Sequence, residues 1–149
     1  MSQPSDNLRI RLTKVGDLII ETHAPVRSEE LISPSDLKIQ YNVLVKVDRP
    51  ESRVEVIVSM MYFIGKVKLF SGSLTTGFDV VDLSSYISAE DGEDKFRIES
   101  DFLPMLINIA FGTTRGYFAK ELGGTALEAY PFPMIPMESI LKRTTYQLI

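Results

Sequence analysis

One histidine, His23, and no cysteine limit the nucleophilic and metal chemistry open to this 149-residue chain. A Ser-His-Asp relay would have to be built around His23, and no serine sits in a G-x-S-x-G elbow. Placed before Ala24 and Pro25, His23 reads instead as a turn or strand-end residue. Zinc sites need clustered His or Cys, which are absent. No glycine-rich phosphate cradle is present either. Gly112-Thr113-Thr114-Arg115-Gly116 has two glycines and a basic residue but lacks the Lys-Ser/Thr pair that would hold a phosphate and magnesium. The run Glu90-Asp91-Gly92-Glu93-Asp94 is the only dense carboxylate group. Its acids are adjacent, so alternate side chains point away from a shared ion, and a solvated loop is expected rather than a calcium loop. Nothing positions a carboxylate pair for glycoside hydrolysis. The expectation is a protein that is not an enzyme and that uses no cofactor and no metal.

Sixteen Lys and Arg against twenty Asp and Glu give a net charge of −4 and a pI near 5.0. Such a chain lacks the basic stripe of a nucleic-acid binder. An apolar share of 44% with 24% charged residues is that of a globular protein. A single domain over residues 1–149 is expected, burying roughly 70% of the surface of the unfolded chain. The longest apolar stretches, Val56–Ile64 and Phe102–Phe111, are about half the length that spans a bilayer. The first residues show no apolar signal-peptide core. Together with the lack of cysteine, this predicts a soluble cytoplasmic domain without membrane insertion.

The elements that must position any site follow from periodicity. Residues 37–47 alternate, with Leu37, Ile39, Tyr41, Val43, Val45 and Val47 on one face and Lys38, Gln40, Asn42 and Lys46 on the other. Period two over that length is a half-buried strand. A polar turn at residues 48–52 precedes a second strand over 53–64, whose inner face is Val54, Val56, Val58, Met60, Tyr62 and Ile64. Gly65 breaks the run, and residues 66–78 resume as an extended, Ser/Thr-rich strand, giving a hairpin at Ile64-Gly65. Upstream, residues 8–12 and 17–21 alternate around Gly16, predicting a long first strand kinked at the glycine. Four antiparallel strands form a meander or Greek key.

The second half reads differently. Asp101-Phe102-Leu103-Pro104 has the acidic cap and early proline of a helix start. Leu106, Ile109, Ala110, Tyr117, Phe118 and Leu122 continue it until Gly123-Gly124 ends it. Three prolines exclude a helix over 126–137, and a shorter helix is expected over 137–146. The fold class is therefore α+β: a four-stranded antiparallel sheet followed by two helices.

The segment 126–137 is apolar where loops are normally polar. It carries Tyr130, Phe132, Met134, Ile135 and Met137 on a backbone stiffened by Pro131, Pro133 and Pro136. Ile57, Met61 and Phe63 add apolar surface on the second face of the second strand. Exposed apolar patches mark interaction sites, and methionine adapts to partners of many shapes. Oligomerisation, binding of unfolded polypeptides, or both would account for this surface. Packing within a fixed assembly is the competing reading.

The stretch from Asn108 through Arg115 to Gly124-Thr125-Ala126-Leu127, followed by the Pro-rich crossover and Met137-Glu138-Ser139-Ile140-Leu141, resembles the C-terminal half of the SecB export-chaperone family. Asn108, Ile109, Phe111, Arg115, Gly124, Thr125 and Leu127 keep that family's pattern. Asp17-Leu18-Ile19-Ile20-Glu21 matches its Asp-x-x-x-Glu on the first strand. Gly65 falls at its hairpin turn, and Thr75-Thr76-Gly77 stands where it has Gln-Gln-Gly. The resemblance is collinear over residues 8–141. It implies a SecB-like sheet and helices, and a homotetramer built as a dimer of dimers with helices between two eight-stranded sheets. It further implies ATP-independent holding of unfolded polypeptides or preproteins in apolar grooves, with handover to the SecA translocase. The client-binding residues it implies are Tyr130, Phe132, Met134, Ile135 and Ile140. Asp17 and Glu21 are the implied motor-docking acids.

The chain departs from the family in two places. Ser73 stands at an acidic position of the fourth strand, and the acidic tail that contacts the motor is replaced by Tyr146-Gln147-Leu148-Ile149. SecB-like chaperones also accompany toxin–antitoxin systems, where they hold an unfolded antitoxin, and these departures make that specialised role the second reading. A structural adaptor that binds no client is the third.

Overall fold

A computed structural model describes residues 10–22, 36–89, 96–98 and 102–148. His23 and the acidic run 90–94 lie outside the described residues. The chain runs β1 (Ile10–Thr22), β2 (Leu37–Asp48), β3 (Arg53–Ile64), β4 (Val67–Val80), β5 (Ile87–Ala89), β6 (Phe96–Ile98), α1 (Phe102–Glu121), α2 (Met137–Lys142) and β7 (Thr144–Leu148). β5 and β6 form a separate antiparallel pair.

The main sheet has the order β1-β4-β3-β2-β7. β2, β3 and β4 are a meander, and β1 returns antiparallel beside β4, which makes the four strands a Greek key. The β2–β3 loop closes on Asp48, whose Oδ1 accepts the Glu51 amide at 3.1 Å. The β3–β4 hairpin turns at Gly65, whose φ of 59° suits a residue without a Cβ. β1 is irregular twice, between Leu12 and Lys14 and between Gly16 and Ile19, and in the second Asp17 takes φ 51°, a region that Asp tolerates better than most residues.

The sheet corrects two expectations. It has five strands and is mixed, because β7 adds to β2 in parallel. The second helix stops at Lys142 instead of reaching Tyr146. Thr144-Thr145-Tyr146 is β-branched and aromatic, which disfavours extending so short a helix. The unpaired main chain of β2 beside it is a better partner. A 3-10 turn at Ala126–Ala129 also begins the segment read as non-helical.

Val43, Val45, Val47, Val54, Val56, Val58, Met60 and Tyr62 line the core face of the sheet. α1 packs there through Phe102, Leu103, Leu106, Ile107, Ala110, Phe111 and Phe118. Phe118 stands so close above Gly72 of β4 that a methyl group at that glycine would lie 2.8 Å from its ring. Ile109 and Tyr117, expected on the packed side of this helix, are exposed instead. They satisfy the three- and four-residue spacing but lie on the flank that the sheet does not reach. No described helix is long and apolar enough to cross a membrane.

Candidate functional site

The apolar crossover is anchored at three points before it reaches α2. Thr125 opens it: its Oγ1 accepts from the Leu127 amide at 3.2 Å and donates to the Leu122 carbonyl at 2.7 Å. Tyr62, in the core face of β3, then donates its hydroxyl to the Tyr130 carbonyl at 3.0 Å. Burial pushes that phenol up to about 12, so it is a neutral donor at any ordinary pH. Finally Arg115 of α1 donates from Nη2 to the Pro133 carbonyl at 3.4 Å while its guanidinium stands 5.6 Å over the Phe111 ring.

Between the last two anchors, Phe132 turns inward and meets Tyr41 of β2 and Phe111 of α1, with ring centroids 5.9 and 5.1 Å away. Tyr41 and Phe111 are themselves edge to face at 5.7 Å. This three-ring cluster joins sheet, helix and crossover, and such pairs stabilise by about 0.5–1.5 kcal/mol beyond their burial. Arg143, just past α2, stands over the Tyr41 ring at 5.2 Å.

The residues expected to bind clients therefore divide. Phe132 and Ile140 are core, at 4% and 2% exposure, and do not belong to the apolar surface where the sequence reading placed them. The physical reason is the pinned backbone: with Tyr130 and Pro133 held on either side, Phe132 has the aromatic slot beneath it. Met134 projects outward at 86% exposure, the most exposed large apolar side chain among the described residues. Tyr130, Ile135 and Met137 are half-buried around it.

Ile57, Met61 and Phe63 are half-buried on the opposite face of the sheet. Ile57 lies between Leu44 and Thr75, and Met61 between Gln40 and Ser71. The fold thus separates this trio from the crossover by the thickness of the sheet.

Asp17 and Glu21 are both exposed on β1. Asp17 forms an ion pair with Lys14, three residues back, and its hydrogen bond raises the lysine pKa. Asp17 is thus already engaged by a cation of its own strand. Ser73 pairs with Ile19 in the neighbouring strand.

Two features escaped the sequence reading. One is Arg115 as a crossover anchor; its spacing four residues after Phe111 was visible, its target was not. The other is an apolar flank along the β1 edge, with Leu12 and Ile19 at 52% and 57% exposure. Among the described residues, no group of three His, Cys, Asp or Glu side chains is gathered as a metal site.

No protein-family model matches the chain, and no curated protein does. Among solved structures, one that matches is the Mycobacterium tuberculosis Rv1957 SecB-like chaperone, in complex with a ChAD peptide from the Rv1956 HigA1 antitoxin. It is 14% identical, covering 85% of this chain and 91% of that chain, with a TM-score of 0.45. The two are alike over most of their length in coarse outline only.

Proposed function

We propose that this protein is an ATP-independent holdase that binds unfolded polypeptide along its apolar crossover. The observation that carries the reading is Met134, fully presented to solvent on a segment clamped by Tyr62 and Arg115. Non-directional apolar contact gives affinity without demanding a client sequence, and a pre-ordered strap loses little conformational entropy on binding. The resemblance to the SecB family supports the same reading. Tyr130, Met134, Ile135 and Met137 are the contact residues; Phe132 and Ile140 support them from below.

In this reading the protein works as a homotetramer in the cytoplasm. Among the described residues β1 is the sheet edge opposite β7, and the outward side of α1 offers Met105, Ile109, Gly112 and Gly116 for close helix contact. Pairing through β1 would make each joined sheet ten-stranded, two more than the family's eight. Several binding straps per assembly add avidity.

Two clients fit: preproteins destined for SecA, or an unfolded antitoxin. The Lys14–Asp17 ion pair and Ser73 favour the second, since both remove negative charge where a motor would dock. The test follows aggregation of a slowly folding, chemically unfolded protein, together with solution mass by light scattering with and without it. Suppression and a mass shift are expected. A protein that ignores the client at several-fold excess would be a structural adaptor instead.

A further inference from the structure

β7 is an extended peptide bound to the edge of β2 within the same chain. Its five residues pair in parallel with Val43–Val47, while the sheet partner of Leu37–Asn42 is β3 alone among the described residues. The open stretch of β2 is thus collinear with the occupied one. β7 itself is mostly exposed along its length.

Its fastening to β2 is loose at the first residues. The Val43 amide reaches the Arg143 carbonyl at 3.5 Å, and the Thr145 hydroxyl reaches the Val43 carbonyl at 3.5 Å, both at the outer limit of hydrogen bonding. Two shorter contacts at the same entry point back into α2. Thr144 Oγ1 donates to Ile140 at 2.7 Å, and the Arg143 amide donates to the same carbonyl at 3.0 Å. Parallel pairing is also slightly weaker per residue than antiparallel.

We infer that β7 is a displaceable occupant of the β2 edge, and that an extended segment of a client polypeptide replaces it, pairing along Leu37–Val47. The inference rests on the holdase reading and adds a gate to it. Main-chain hydrogen bonds to a strand edge are blind to client sequence, while alternate side chains of the incoming strand would meet the Tyr41 side of the sheet beside the crossover. With β7 docked in about nine molecules of ten, apparent client affinity would be lowered about tenfold relative to an open edge.

The test uses the absence of native cysteine. Lys46 and Gln147 are direct partners in the β2–β7 register, so the double variant Lys46→Cys/Gln147→Cys can lock β7 in place. The probe is fluorescently labelled, reduced and carboxymethylated α-lactalbumin, which stays unfolded. The oxidised variant, with no open edge left, should bind it more than about tenfold more weakly than the same variant reduced, whereas each single-cysteine variant is unaffected by oxidant. Amide exchange in residues 144–148 of the wild-type chain should rise when the probe is added, while residues 43–47 stay protected. Equal binding by the oxidised and reduced forms, or unchanged exchange in 144–148, overturns displacement and leaves the holdase reading standing. No binding by any form removes both. A chain ending at Arg143 should bind about tenfold more tightly than wild type, and the locked variant decides the matter if that truncation fails to fold.

Discussion

The Tyr62 hydroxyl, rooted in the core face of β3, donates to the main-chain carbonyl of Tyr130 at 3.0 Å and thereby hangs the crossover from the sheet. A strand that builds the core also sets the height of the apolar strap above it. Replacing Tyr62 with Phe keeps the ring packing against Phe70 and removes only this bond. The expected cost is about 1 kcal/mol of stability, with faster amide exchange around residue 130 and weaker client binding. Chemical denaturation and exchange on the same variant check both parts.

Alkaline pH addresses the same phenol. Its folded-state pKa is raised from 10.0 to about 12, because burial disfavours phenolate. The stabilisation is therefore complete below pH 10 and is lost as pH rises through about 12. Between those limits wild type should lose stability faster than Tyr62→Phe. Urea midpoints at about pH 9 and about pH 11 measure the difference.

Phe132 and Met134 should separate cleanly. Phe132→Ser empties the slot between Tyr41 and Phe111 and should cost about 3–5 kcal/mol, as for other buried aromatics. Met134→Ser removes only an exposed side chain and should leave the melting temperature within about a degree, since surface changes of this kind fall within roughly ±0.5 kcal/mol. It should nevertheless weaken client binding. Thermal melts beside a client-binding titration distinguish the two, and an unaltered affinity in Met134→Ser would count against the crossover as the contact.

Gly72 tests how closely α1 sits on the sheet. A Cβ there would lie 2.8 Å from Phe118 and 3.0 Å from Ile20, so both neighbours must shift. Gly72→Ala should destabilise by about 1–3 kcal/mol, the usual cost of overpacking. Its thermal melt reads the loss directly.

Asp79 of β4 is hydrogen-bonded by Arg11 of β1 at 3.1 Å and by Arg53 of β3 at 3.3 Å. These bonds, that from Arg11 first, hold its carboxyl below the usual range against the opposing effect of desolvation. Its contribution is present above the ordinary carboxylate pKa and falls away as pH drops through the lowered folded-state value. Asp79→Asn should flatten the acid side of the stability profile, with a small effect at neutral pH because the pairs are exposed. Melting temperature as a function of pH follows it.

Local periodicity alone determined β2, β3 and their core face, because alternation over eleven or twelve residues has one half-buried solution. Gly65 and Gly123-Gly124 marked the hairpin turn and the helix end for equally local reasons: Gly65 and Gly124 take positive φ, which favours a residue without a Cβ. Scarcity of His and Cys limited the chemistry in the same way. The crossover's composition revealed an unusual apolar segment, but a proline-rich run has no period, so nothing local assigned Phe132 inward and Met134 outward. That choice belongs to Tyr62, Arg115 and the Tyr41–Phe111 slot, which come from three other elements. Likewise, Thr144-Thr145-Tyr146 is too short to declare itself, and became a strand only where the β2 edge supplied main-chain partners. Tertiary structure decided what had to be satisfied by groups distant in sequence.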